Sequence, residues 1–291
     1  MTTFNTADAA AAARADVTIA VIGLSVIDES ESHDRTSFEL PGHQLQLVRT
    51  VAAASRGPLV LVVFSGGMVD LTPVLDLADA VLWAGYPGQS GGEAIARLLY
   101  GIDEANPSGR LPLTMLPAAY VNQSDFLDMN MRAKPGQTYR FYTGKPVFPF
   151  GHGLTYSNVT YAWSSTPSRR VLAAADVAYS VVVTNHGPRA GDEVVLAFIS
   201  RPDGADGPVK QLFAFERIHL AAGESKTVHL LPSVRDLSLV DASGRAVLTP
   251  GRVRVTVGVP SGGAFLEHTS LFGRASPTQF VRAAVVSMLK R

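Results

Sequence analysis

The chain contains no cysteine, which removes disulfides, thiolate metal sites and a cysteine nucleophile from consideration. No apolar run approaches the roughly 20 residues that a membrane helix needs. Neither sign of charge is in excess: 25 basic and 25 acidic residues are spread along the chain with no basic stripe. Nucleic acid and an anionic membrane are therefore not expected as partners. The 7 histidines show no H-x-x-x-H or comparable ligand spacing, so neither a metal nor another cofactor is expected. The opening "MTTFNTADAAAAARADVTIAVIG" lacks the basic-then-apolar profile of a signal peptide and carries Asp8 and Asp16 instead. No export address is expected. The N-x-S/T triplets at Asn122 and Asn158 are of a kind common by chance.

What is present is globular. A length of 291 residues, 46% hydrophobic and 17% charged, suits two ordinary domains of about 100–200 residues each. In the first half, short β-branched apolar runs alternate with helix-like segments. "DVTIAVIG" (16–23) has the pattern of a strand buried on both faces. "LPGHQLQLVRTVAAASRG" (40–57) follows as an amphipathic helix, with Leu45, Val48, Val51 and Ala52 on one face and Gly57 as its stop. Two more strands are expected at "PLVLVVFSGG" (58–67) and "DAVLWAGYPG" (79–88), then a helix at "GGEAIARLLYG" (91–101). This repetition predicts a parallel sheet, and the loops leaving its strands share one rim where ligands gather.

A proline- and aromatic-rich passage from "NPSGRLPLT" to "TYRFYTGKPVFPFGHGLTYS" (106–157) holds neither period for long and reads as ordered and extended. From about residue 158 the period becomes two. Strands are expected at 177–185, 192–200, 210–220, 225–232 and 251–259, separated by turn signals such as "NHGPRAG" and "DASGR". Their spacing describes a β-sandwich of immunoglobulin-like size. The tail 276–291 has a helical pattern.

One rim loop is unusual. "GLSVIDESESHDRTSFELPG" (23–42) crowds Asp28, Glu29, Glu31 and Asp34 together and ends them on Arg35. Taken alone, such a cluster is a solvated surface loop.

Several stretches together resemble the C-terminal part of family 3 glycoside hydrolases, on the β-xylosidase side of that family. They are the acidic loop, "ASRGPLVLVVFSGGMVDLT", "VLWAGYPGQSGGEAIARLLYGIDEANPSGRLPLTMLP", "DMNMR…PGQTYRFYTGKPVFPFGHGLTYS" and "VVVTNHGPRAGDEVVLAFI". The resemblance runs from about residue 15 to residue 260. It implies an α/β plus all-β architecture: a partial parallel α/β sandwich followed by a fibronectin type III-like β-sandwich. The implied boundaries are 1–134 for an N-terminally truncated α/β domain and 135–157 for a connector. The fibronectin-like domain then spans 158–275 and the tail 276–291. In that family a barrel precedes these domains and carries the aspartate nucleophile and most sugar-binding side chains. The family is typically extracellular.

The resemblance also gives the acidic loop a role. Retaining glycosidases use two carboxyl groups about 5–5.5 Å apart, one as nucleophile and one as general acid and then base. In family 3 the acid/base glutamate commonly sits on a loop of pattern E-x-E-x-x-D-R, here Glu29 to Arg35. Glu31 matches the acid/base position, with Glu29 as the second candidate; Asp34 and Arg35 are expected to pair with each other or brace the loop. Trp83, Tyr139 and Tyr142 are candidates to stack on a sugar or to lie in the core. Ser65 lacks the G-x-S-x-G context of a hydrolase elbow. "GYPGQSGGEA" lacks the residues of a phosphate-binding loop and reads as a tight turn. His152 reads as a packing residue.

Three functional expectations follow. The chain is part of a β-xylosidase-like or β-glucosidase-like enzyme, incomplete by itself, acting on β-linked xylosides or other glycosides once a barrel-bearing polypeptide is supplied. Alternatively it is a non-catalytic module binding carbohydrate or protein. In the third reading it is a remnant whose open sheet edge and apolar face promote aggregation.

Overall fold

The computed structural model describes residues 4–171, 177–201 and 207–273. The helical reading of 276–291 falls outside the described residues. The chain forms two compact units that interleave in sequence. The first comprises Met1–Tyr100, Leu113–Asn130 and Gly144–Phe148; the second comprises Gly101–Pro112, Met131–Thr143 and Pro149–Arg291.

The first unit is α/β. Helix α1 (Phe4–Ala12) precedes strand β1 (Thr18–Gly23), helix α2 (Gln44–Ala54), strand β2 (Leu59–Phe64), helix α3 (Thr72–Leu75), strand β3 (Ala80–Gly85) and helix α4 (Gly91–Tyr100). The strands pair in parallel in the order β1-β2-β3. Alternation buries Ala20 and Ile22 on one face of β1, and Val48 and Val51 are buried on α2, which contacts that strand. Leu61, Val62 and Val63 of the central strand are at most 1% exposed. Each such side chain contributes about 1.5–3 kcal/mol when fully removed from water.

Two expectations are corrected here. Strand β1 is not buried on both faces: it is an edge strand, and Val21 is 56% exposed. Gly57 does not stop α2. The helix ends at Ala54 and is capped by Ser55, whose hydroxyl donates to the Val51 carbonyl at 2.8 Å and can accept from the Thr18 hydroxyl at 2.9 Å. Gly57 instead admits the Asp16 carbonyl, which would lie 1.9 Å from any Cβ there. The passage after α4 is ordered: in the first unit, Met115 pairs with Phe148 and is 1% exposed.

The second unit is a β-sandwich. Helix α5 (Thr138–Phe141) precedes strands β4 (Val159–Trp163), β5 (Arg170–Val171), β6 (Tyr179–Asn185), β7 (Gly191–Ser200), β8 (Gln211–Leu220) and β9 (Ser225–Leu230). The short strands β10 (Ser238–Val240) and β11 (Ala246–Leu248), then β12 (Gly251–Gly258) and β13 (Phe265–Phe272), complete it. One sheet runs β5-β13-β12-β7-β8, the other β4-β6-β9, and β10 pairs with β11. Alternate residues Val181 and Val183 of β6 meet Val195, Val253, Val255 and Val257 of the facing sheet in one core.

Segments before residue 158 belong to this unit. Asn106 uses its whole amide: Nδ2 donates to Ser157 Oγ at 2.7 Å and to the Ala190 carbonyl at 3.2 Å. Its Oδ1 accepts from Thr155 Oγ1 at 2.9 Å and the Tyr156 N–H at 2.8 Å. Tyr139 stacks on Phe150 at 4.3 Å, beside Phe198 of β7.

Candidate functional site

In the first unit the loops leaving β1, β2 and β3 meet at one rim, as a parallel sheet requires. The β1 loop is tied down from its first residue. Gly23 turns at φ +133°, with the Phe64 carbonyl too close for any side chain. The Gln44 amide holds both its N–H and its C=O, at 2.7 and 2.8 Å. Asp28 then accepts from the Ser25 N–H and hydroxyl, both at 2.9 Å.

Glu29 is the best-bound carboxylate of the loop. Its Oε1 accepts from the N–H groups of Gly66 and Gly67, at 2.8 and 3.1 Å, and from the Tyr86 hydroxyl at 2.7 Å. Its Oε2 pairs with Arg35 Nε at 3.1 Å. Burial pushes this carboxyl up, but the Tyr86, Gly67 and Gly66 hydrogen bonds and the Arg35 charge outweigh it and hold the group below the usual carboxylate range. Reciprocally, burial and then the Glu29 bond push the Tyr86 phenol up. The two glycines are needed for the close approach. A Cβ on Gly66 would lie 2.8 Å from the Tyr86 ring, and one on Gly67 would lie 3.0 Å from Arg35.

Beyond Glu29 the chain makes a tight hairpin. Ser30 and His33 form an antiparallel bridge, with the His33 N–H donating to the Ser30 carbonyl at 2.9 Å. Glu31 and Ser32 are its two-residue tip, and Ser32 adopts a left-handed φ of +63°. Glu31 is exposed, and among the described residues nothing hydrogen-bonds or pairs with it. One carboxylate is fixed and the other is free.

The Asp34–Arg35 pair does not form. Arg35 reaches back to Glu29 while donating to the Met68 carbonyl at 2.7 Å and the Ser37 carbonyl at 3.3 Å, three acceptors that Asp34 alone cannot match. Asp34 is exposed. Arg35 therefore braces the loop and Asp34 does not.

This architecture has known counterparts. Residues 2–156 match the glycosyl hydrolase family 3 C-terminal domain, and residues 193–261 match a fibronectin type III-like domain. The chain belongs to glycoside hydrolase family 3. Beta-D-xylosidase 1 of Arabidopsis thaliana is 38% identical over 299 residues, covering 90% of this chain and 38% of that protein. An exo-1,4-beta-xylosidase of Emericella nidulans is 38% identical over 269 residues, covering 86% of this chain and 35% of that protein. Among solved structures, a family 3 exo-beta-xylosidase, XlnD, in complex with a xylobiose aziridine probe aligns with TM-score 0.84 and 30% identity. It covers 92% of this chain and 37% of that one. A beta-glucosidase of Listeria innocua in complex with glucose aligns with TM-score 0.80 and 26% identity, over 95% of this chain and 39% of that one. The chain thus spans less than two-fifths of these relatives' length.

The other candidates of this family 3 chain fall elsewhere. Trp83 is half-buried and donates to the buried Ser65 hydroxyl at 2.8 Å, so both are structural. Tyr139 is taken up by the aromatic cluster of the second unit. Tyr142 is half-buried in that unit. His152 lies 3.3 Å from Ser261 Oγ, and burial pushes its pKa down. "GYPGQSGG" makes a turn closed by the Gly91 N–H on the Gly88 carbonyl at 3.0 Å and delivers Tyr86 to Glu29. Among the described residues no three His, Asp or Glu side chains converge as a metal-ligand set. The sequence does not reveal the Gly66–Gly67–Tyr86 cradle; its one trace there is a glycine pair one residue beyond β2.

Proposed function

We propose that this chain is the acid/base-bearing portion of a β-xylosidase-like retaining hydrolase, with Glu31 as general acid and then base. The observation that supports this reading is the contrast between the two candidate carboxylates. A general acid must bring a proton to the leaving oxygen, and Glu29 spends its lone pairs on four donors that favour the anion. Glu31, on the hairpin tip, is free to meet a substrate.

The chemistry then runs in two steps. Glu31 gives its proton to the glycosidic oxygen as a nucleophilic aspartate, supplied by the family's barrel, bonds to the anomeric carbon and the C–O bond breaks. Glu31, now a carboxylate, takes a proton from the water that displaces the aspartate. This chain brings the acid/base. By the family's pattern the nucleophile and the sugar pocket come with the barrel, so the chain alone is catalytically incomplete.

Co-expression with a family 3 barrel domain, assayed on an aryl β-xyloside, tests the reading. Turnover that needs both polypeptides and collapses in Glu31→Gln supports it; turnover indifferent to Glu31 removes it. The similarity to the Listeria beta-glucosidase favours β-glucosides as a second substrate class, and an aryl β-glucoside in the same assay decides between them.

A further inference from the structure

Glu29 and Glu31 lie two residues apart, so at most about 7 Å of extended chain separates their Cα atoms. Whatever fixes Glu29 therefore fixes the range over which Glu31 can be presented. Glu29 is fixed by all three rim loops at once: Arg35 from its own loop, the Gly66 and Gly67 N–H groups after β2, and the Tyr86 hydroxyl after β3. Arg35 adds a second tie across the same loops through the Met68 carbonyl, and its guanidinium lies 5.9 Å from the Phe38 ring centre. The Ser30–His33 bridge begins at the next residue, leaving no slack between anchor and tip.

We propose that Glu29 is a positioning residue: an ionised anchor, seated in the Gly66–Gly67–Tyr86–Arg35 cradle, that holds the hairpin so that Glu31 is presented at a fixed height above the sheet rim. This inference rests on the acid/base assignment of Glu31 for its catalytic meaning, whereas the anchor itself is a property of this chain alone. Tyr86 and Arg35 share the role, because each supplies a donor that the tip cannot replace.

The anchor is tested on the isolated chain by amide hydrogen exchange. Glu29→Gln speeds exchange at Gly66, Gly67 and the 24–36 segment by about tenfold or more, because a charge-assisted acceptor becomes a neutral one. Tyr86→Phe, which keeps the fold's apolar contacts, speeds it less, and Glu31→Gln leaves it unchanged. The Tyr86 titration, taken as the difference between proteins with and without Tyr86→Phe, moves back toward the ordinary phenol value in Glu29→Gln. Unaltered exchange and an unaltered Tyr86 titration in Glu29→Gln overturn the anchor. The positioning role is read with the barrel supplied. Glu29→Gln lowers kcat by about 10²-fold, an effect expected of a misplacement near 1 Å, and azide does not restore it. Azide, which replaces the water that needs a base, restores Glu31→Gln. Azide rescue of Glu29→Gln, or full activity in it, overturns the positioning role. Absence of any wild-type turnover with the barrel would instead count against the functional reading and leave the exchange result standing.

Discussion

Arg110 and Glu193 form a buried ion pair in the second unit: Arg110 Nη2 sits 2.9 and 2.8 Å from the two carboxylate oxygens, and the side chains are 9% and 4% exposed. The Tyr161 hydroxyl donates to the same carboxylate at 2.5 Å, and burial, followed by the Glu193 charge, pushes its pKa far up. Removing one partner strands a charge in a place without water. Arg110→Met is expected to cost about 3–5 kcal/mol in urea unfolding followed by a probe of the second unit. Arg217→Ala, which breaks the exposed Arg217–Asp192 pair at 2.7 Å, is expected to cost at most about 1 kcal/mol.

The same pair sets a second expectation. A fibronectin-like fragment begun at residue 158 lacks Arg110, Asn106, Tyr139 and Phe150, all of which pack or bond within the second unit. It keeps Glu193 and Phe198 without these partners. Such a fragment is expected to bind a hydrophobic dye and to unfold at lower urea than the whole chain; equal midpoints would show that these contacts contribute nothing.

Glu29 gives the acidic loop a pH dependence of known sign. Its folded pKa lies below its ordinary value of 4.5, so its contribution to loop order is complete above that value and is lost as pH falls through the lower folded value. Exchange protection factors at Gly66 and Gly67 should therefore be flat from neutrality to about pH 5 and fall in stronger acid. Glu29→Gln should remove the dependence. A protection factor that falls between pH 8 and pH 6 would point to a different group.

Much of the architecture was legible because it follows from local period. The apolar runs of β1, β2 and β3 and the helical stripe of α2 lie where the pattern places them. The pattern did not say which strand stands at the edge. "TIAVIG" reads the same with or without a neighbour, and the exposure of Ile19 and Val21 depends on what packs over their face of β1. Strand β13 escaped notice because Glu267, His268 and Thr269 interrupt its apolar run, although its buried positions alternate once the strand is seen. Helix α1 is not legible in the sequence, since an alanine run carries little amphipathic signal.

The site was legible to the loop and no further. The E-x-E-x-x-D-R spacing singles out the segment and holds Arg35, but the other residues that bind Glu29, namely Gly66, Gly67 and Tyr86, stand 37, 38 and 57 positions away. Which carboxylate is engaged and which is free is a tertiary fact. The expected Asp34–Arg35 pair failed for the same reason: Arg35 finds better acceptors at Glu29 and Met68 than its neighbour offers.

On the proposed reading the covalent partner of Glu31 is supplied by the family's barrel. The purified chain, at any concentration, is expected to release no aryl alcohol from an aryl β-xyloside above the buffer rate. Steady turnover that disappears in Glu31→Gln would mean that this chain also holds a nucleophile.

The most direct test of Glu31 as proton donor is the dependence of kcat/KM on the leaving group, measured in the barrel-complemented protein with a series of aryl β-xylosides. Glu31→Gln should leave the best leaving groups nearly unaffected, since they depart without a proton, and slow the poorest by about 10²–10⁴-fold. An equal loss across the series, or a steep dependence that appears in Glu29→Gln instead, would contradict the assignment.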